Sequence, residues 1–216
     1  MISDREVIME LKSIYPDEIM DISPFPMPYP LNLQPDEVKA IYLGCDPTNT
    51  HGYEFNHVFA LGDTPPKFKG FVTRHTNQLK AIGLEWKDVF VQNLCRNYFN
   101  YETSKNLKTW KKLAKEYWIE KLRAELEELK IPESVPVLLT SKYLFDVLVH
   151  DKGWLSHDAP EIYEQEMIPI PGNTNLLNRP LIPIYRGFSP RLKLNYHLLN
   201  NKKWDSYRKH VIEILN

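Results

Sequence analysis

Apolar residues recur at helical spacing in residues 2–15, where Ile2, Val7, Ile8, Leu11 and Ile14 share a stripe and predict a short amphipathic helix. Five prolines follow (Pro24, Pro26, Pro28, Pro30, Pro35), and proline's fixed φ and missing N–H predict an extended arm there. The pattern then changes to short, continuous apolar runs. Val38 to Leu43 reads as a buried strand ending at Gly44, and Val89 to Gln92 as a second ending at Asn93. The longest helical pattern lies at 107–129, with Leu107, Trp110, Leu113, Tyr117, Leu122, Leu126 and Leu129 on one stripe before Pro132 stops it. Pro136 to Thr140 opens a third strand, and Ser141 is placed to cap a helix running to Val149. Pro180 to Tyr185 is a fourth strand, with Pro183 suggesting a sheet edge. A last helix near 201–215 is expected to bury Trp204, Val211 and Leu215.

Buried strands separated by helices predict an α/β fold: three α/β/α layers around a central, mainly parallel sheet of about four strands. At 216 residues, the chain suits one domain (1–216), with residues 1–37 as a helical and proline-rich arm. In such sheets ligands bind beyond the carboxyl ends of the strands, so the loops after Leu43, Gln92 and Tyr185 are the places to search.

Composition narrows the function classes. No apolar run approaches the ~20 residues needed to cross a bilayer, and the acidic N-terminus lacks the basic-then-apolar order of a secretory signal. A soluble, cytoplasmic protein without membrane partners is expected. Cys45 and Cys95 are too few for a disulfide scaffold and lack zinc-ligand spacing, so they read as small buried hydrophobes. His51, His57 and His75 do not make metal-ligand spacing and read as loop residues. No metal or cofactor is expected. The net charge of −1 is unevenly spread. Residues 1–45 hold eight acids against three bases, whereas residues 186–216 hold seven bases against two acids, enough for a local phosphate-binding face or a solvated helix surface.

Two positions carry candidate chemistry. Asp46 follows a buried strand, in Gly44-Cys45-Asp46-Pro47-Thr48, and Pro47 stiffens the turn that aims its carboxylate. Asn93 ends the second strand, where its amide offers a donor and an acceptor to a flat polar edge. Taken alone, each is also ordinary turn or cap chemistry, and Phe59 is an ordinary core residue.

Taken in order, these features resemble the uracil-DNA glycosylase superfamily. The stretches LGCDPTNTHGYEFNHVFALGD and DVFVQN are similar to that family's G-x-D-P loop, downstream aromatic and asparagine-ending strand. Asp46 and Phe59 are thirteen positions apart, as in the uracil-specific branch, and the likeness continues through SKNLKTWKKLAKEYWIEKL and VPVLLTS to cover about residues 38–145. The resemblance implies that Asp46 positions the attacking water and stabilises positive charge on the sugar. Phe59 would stack on an extruded base, Asn93 would pair with its Watson–Crick edge, and Cys45 and Thr48 would stand beside it. The chemistry is coherent: glycosidic cleavage passes through an oxocarbenium-like state that a carboxylate favours, and a base must leave the stack to be reached.

The sequence departs from the family at two points. Thr48 stands where the uracil branch has a tyrosine that blocks the thymine methyl group, so a more permissive pocket is expected. The family's closing histidine-proline-serine loop is replaced by Arg186-Gly187-Phe188-Ser189-Pro190, without the histidine. Arg186 could supply positive charge there but does not titrate near neutrality. Arg186, Ser189, Arg191 and Lys193 are candidates for DNA-backbone or leaving-group contacts. The leading expectation is a monomeric, metal-independent DNA glycosylase removing an altered pyrimidine, with DNA and the extruded base as partners. The alternatives are a non-catalytic nucleic-acid or nucleotide binder of the same fold, and a different small-molecule enzyme using the same loops.

Overall fold

The computed structural model describes residues 3–20, 26–29, 34–47, 55–62, 64–185, 188–189, 194–195 and 204–216. Four short apolar runs become the strands β1 (Ala40–Gly44), β2 (Val89–Asn93), β3 (Val137–Leu139) and β4 (Leu181–Pro183). They form one parallel sheet in the order β2-β1-β3-β4. Every residue of these strands is buried, because helices cover both sides of the sheet. The expected α/β/α architecture is therefore present. β4 is the edge strand of this sheet, and Pro183 interrupts no ladder, since the next amide, Ile184 N, donates to Leu139 O at 2.8 Å. Among the described residues no helix is long and apolar enough to cross a membrane.

The chain travels from β1 outward to β2, then returns past β1 to β3 and β4. This reversal makes the loops at the carboxyl ends of the central strands a crevice where ligands collect in open α/β sheets. α1 (Asp4–Ile14) opens with a capping box: the Ser3 hydroxyl accepts from Glu6 N, and the Glu6 carboxylate accepts from Ser3 N at 2.7 Å. Its buried stripe is Val7, Ile8 and Leu11. Ile14, expected in the stripe, is half exposed because the helix ends there, and Ile2 lies outside the described residues.

Three further differences from the sequence reading have physical causes. α2 (Lys69–Ala81) was not anticipated, because two of the positions it buries are polar, His75 and Gln78, and they break its apolar stripe. His75 is thus a buried helical residue rather than a loop one. The helix expected over 107–129 is split into α3 (Leu107–Leu113) and α4 (Ile119–Glu128) by one π turn, Ala114–Trp118. The wider turn shifts the face by one position, so Trp118 is fully buried and Tyr117 only partly. In the final helix, α6 (Asp205–Leu215), Tyr207 joins Val211 in the core with the preceding Trp204, while Leu215 at the helix end is only partly buried. α5 (Lys142–Leu148) begins as expected at Ser141, whose hydroxyl accepts from Tyr143 N at 3.2 Å.

Residues 26–29 of the proline-rich arm run as bridge partners along the free side of β2 and the segment before Phe59, while Pro24 and Pro30 lie outside the described residues. Tyr29 and Val91 exchange backbone hydrogen bonds at 3.1 and 2.8 Å, and Met27 does the same with Asn56 and Val58, both at 2.9 Å. The N-terminal helix is tied down by charge. Arg96 bonds Asp4 and Glu125, Lys121 reaches Asp4 at 2.9 Å, and Gln92 donates to Glu125 at 3.2 Å. Burial pushes the Asp4 carboxyl upward, but the Arg96 and Lys121 charges outweigh it and hold it below its ordinary value. Glu125 goes the other way, since its burial outweighs the pull of Arg96.

Arg96→Leu leaves Glu125 without a cation and Asp4 with Lys121 alone, and a loss of about 3 kcal/mol at pH 7 is expected, as for breaking a largely buried ion pair. The signs differ for the two acids. Asp4's depressed value contributes stability above its unfolded value near 3.8, lost as pH falls through the folded value. Glu125's raised value contributes below its unfolded value near 4.5, lost as pH rises through the folded value. The gap between wild type and Arg96→Leu should therefore narrow toward pH 3, where both acids take up protons. Denaturant titrations at pH 7 and pH 3 check this, and a gap independent of pH would show that the carboxylates are not what Arg96 compensates.

Candidate functional site

Asp46 and Asn93 come together because β1 and β2 stay paired past their last residues. Gly44 is in register with Asn93, Leu94 N donates to Gly44 O at 2.8 Å, and Cys95 N donates to Cys45 O at 2.9 Å. On the other side of β1, the Thr140 hydroxyl donates to Leu43 O at 2.8 Å. The end of β1 is thus gripped from both neighbouring strands before the chain turns at Pro47. The Thr103 hydroxyl donates to Asp46 Oδ2 at 2.5 Å, fixing one carboxylate oxygen from the loop after β2.

A cavity of about 160 Å3 opens at these strand ends. A cavity of about 150 Å3 already admits a benzene-sized ring. Its walls are mainly aromatic, from Phe55, Phe59, Phe68 and Phe71, with Pro26, Pro47 and Ala60 between them. The side chains that bring polarity are Asp46, Asn93 and His57, with Cys45 beside them. Among the described lining residues there is no lysine or arginine.

Asn93 is only 4% exposed, and its side-chain amide makes no hydrogen bond among the described residues. The amide stands in the cavity wall, where it offers a donor and an acceptor to a complementary polar edge. Phe59 is held in a costly conformation. Phe59 and Ala60 have φ of 58° and 56°, in the left-handed region, which costs roughly 1–3 kcal/mol per residue. Surrounding contacts maintain it: the Thr64 hydroxyl donates to Ala60 O at 2.6 Å, and the Phe59 ring meets Tyr42, His75 and Phe71 with centroids at 5.2, 4.9 and 6.0 Å.

His75 is fixed in turn. The Tyr42 hydroxyl donates to Gln78 Oε1 at 3.0 Å, so its oxygen accepts from His75 Nδ1–H, and Gln78 donates to Ile184 O at the end of β4. This buried relay, with all members 2% exposed or less, supports the cavity's aromatic wall from behind. Cys45 and Cys95 are buried free thiols, as expected. Burial, then the nearby Asp46 and Cys45 charges, push the Cys95 thiol well above its ordinary value, so it stays protonated and unreactive at neutral pH.

Asp46, Cys45, Phe59 and Asn93 therefore share one cavity. Thr48, Arg186, Arg191 and Lys193 lie outside the described residues. Ser189 belongs to a two-residue strand, β5 (Phe188–Ser189), paired antiparallel with β6 (Leu194–Asn195). Sequence reasoning missed His57, Thr103 and the aromatics of α2. Phe68, Phe71 and His75 stand at positions i, i+3 and i+7, a helical signal that was legible but weak. Thr103 gave none. Among the described residues no three histidine, cysteine or acidic side chains converge as a metal-binding group.

Gly44 is the tightest point of the site. A Cβ there would overlap Asn93 Oδ1 and stand 2.7 Å from Phe59 Cζ, although the backbone conformation itself would admit alanine. Gly44→Ala should displace both groups, cost about 1–3 kcal/mol of stability by overpacking, and reduce ligand binding. Denaturant unfolding together with pocket-ligand titration checks this; an alanine variant with wild-type values in both would show that the approach of Asn93 and Phe59 over Gly44 is not needed. Comparison with protein-family models, with curated proteins and with solved structures returned no match.

Proposed function

We propose that this cavity receives an altered pyrimidine, uracil or a related base, extruded from DNA, and that Asp46 promotes hydrolysis of its N-glycosidic bond. The observation that carries the reading is the Asn93 amide, uncommitted in the wall of a mainly aromatic cavity. A pyrimidine presents a ring face for Phe59 and an adjacent N–H and C=O for one carboxamide, so one ligand satisfies both walls.

The Asp46 carboxylate then has two tasks. It accepts a hydrogen bond from water and aims it at C1′, and its charge stabilises the oxocarbenium-like sugar as the bond to the base breaks. The bonding pair leaves with the base, the water oxygen joins C1′, and the proton it sheds ends on the base nitrogen. Thr103 keeps one carboxylate oxygen in place through its 2.5 Å bond. Asp46 is itself partly exposed, which gives water access.

A second reading, a non-catalytic binder of a nucleotide or nucleic acid, is favoured by one observation. The described cavity wall carries no lysine or arginine to neutralise a departing anion. Oligonucleotides bearing uracil, hypoxanthine or a mismatched thymine, scored for abasic sites, separate the two. Under the glycosylase reading wild type cleaves at least one base. Asp46→Asn loses turnover yet keeps or gains DNA affinity, because it removes a negative charge near phosphates. Asn93→Ala weakens base recognition by about 1–3 kcal/mol. Binding of the base with no cleavage of any oligonucleotide would establish the binder. Equal loss of thermal stability in both variants, with no selective effect on ligand or turnover, would leave both residues structural.

A further inference from the structure

One polar side chain of β2 has no part yet in the site. Gln92 is 1% exposed in a strand that is otherwise apolar up to Asn93, and a carboxamide so buried needs partners at both of its ends. It has them. Gln92 Oε1 accepts from the Asn93 backbone N–H at 2.9 Å, and Gln92 Nε2 donates to both carboxylate oxygens of Glu125 at 3.2 Å. Successive side chains of a strand point to opposite faces, so Gln92 reaches α4 while Asn93 enters the cavity on the other face.

The Asn93 N–H needs this acceptor because of where it points. Strand amides alternate in direction: Val91 N donates outward to Tyr29 O, and Leu94 N donates inward to Gly44 O, both at 2.8 Å. The Asn93 amide therefore lies on the outer edge of β2, where the arm caps Val91 and Gln92 caps Asn93. The partners also fix which way the carboxamide is turned. A backbone N–H only donates, so it takes the oxygen; the Glu125 carboxylate, paired with Arg96 at 2.8 Å, only accepts, so it takes the NH2. Glu125 thus aims Gln92, and Gln92 holds the peptide that carries the Asn93 side chain. That side chain has little freedom, since Asn93 Oδ1 already lies against Gly44 beside the Phe59 ring.

We propose that Gln92, aimed by Glu125, is a positioning residue that sets the Asn93 carboxamide in the cavity wall. The proposal rests on Asn93 being the amide that meets the ligand, and adds what holds it there. Gln92 touches no ligand itself; it acts through the Asn93 peptide.

The test removes the two partners and then exchanges them. Gln92→Leu deletes the cap, Glu125→Leu deletes what aims it, and Gln92→Glu combined with Glu125→Gln again gives the Asn93 N–H an oxygen and faces a carboxylate with an NH2. The full 15N-labelled chain is read by amide hydrogen exchange and by the Asn93 side-chain signals, with the Val91 amide as reference, and titrated with free uracil. In each leucine variant the Asn93 N–H is expected to exchange roughly tenfold faster with Val91 unchanged, the Asn93 side-chain signals to move, and uracil binding to weaken roughly tenfold. The exchanged pair is expected to return all three close to wild type. Should the leucine variants not fold, Glu125→Gln decides: a neutral amide no longer dictates the turn of Gln92, so a smaller loss of the same kind is expected, recovered on adding Gln92→Glu. Asn93 exchange and side-chain signals at wild-type values in the single variants would overturn the proposal, as would Val91 and Asn93 exchanging faster together, the mark of a merely structural glutamine. If wild type binds no uracil, the pyrimidine reading fails, and the Asn93 signals alone decide whether Gln92 positions it.

Discussion

The close approach over Gly44 is the constraint on which the site depends. β1 and β2 run in register to their last pair, Gly44 opposite Asn93, and only a missing side chain at Gly44 lets the Asn93 amide and the Phe59 ring occupy the same volume. Once they do, the remaining geometry follows. Phe59 must arrive from a segment bent through two left-handed residues, and that bend persists because Tyr42, Phe71 and His75 pack around the ring. The buried Tyr42, His75 and Gln78 side chains then need each other as partners, and the last of them reaches the Ile184 carbonyl just beyond β4. The strain at Phe59 and the polar chain beneath it are both consequences of holding one aromatic face beside one amide.

The frame around this point is built from separate ties. The arm covers the outer side of β2 through Tyr29 and places Pro26 in the cavity wall. α1 is held against β2 and α4 by Arg96, Lys121, Asp4 and Glu125 rather than by its apolar stripe alone. Arg96 is three residues beyond Asn93, so the same loop start that presents the amide to the cavity also anchors the N-terminal helix. Perturbing the ionic cluster should therefore be felt first in the loop that carries Thr103 and its hold on Asp46.

Legibility in the sequence followed burial chemistry. The strands were readable because parallel strands covered on both faces are unbroken apolar runs, and Asn93 and Asp46 were readable because one ends such a run and the other follows one by two residues. α2 was not, since His75 and Gln78 put polar atoms where a helix usually shows its apolar side, and only the tertiary relay explains them. The slip from Tyr117 to Trp118 came from a π turn, which has no composition cue. His57 reads as a loop histidine in sequence. Its place in the cavity wall depends on packing against Gly62 and on the arm fixing its backbone, and both are contacts between segments. The likeness to uracil-DNA glycosylases supplied roles for residues that the fold brings together, but it supplied none for the imidazole.

The central claim is that Phe59 and Asn93 hold the face and the edge of an extruded pyrimidine, with Asp46 beside its sugar. A crystal structure of Asp46→Asn bound to a duplex carrying a single uracil tests it most directly. The expected density shows the uracil out of the helix, its face on the Phe59 ring and its N–H and C=O edge paired with the Asn93 carboxamide. A uracil still stacked in the duplex, or a base bound elsewhere with the cavity unoccupied, would contradict the account.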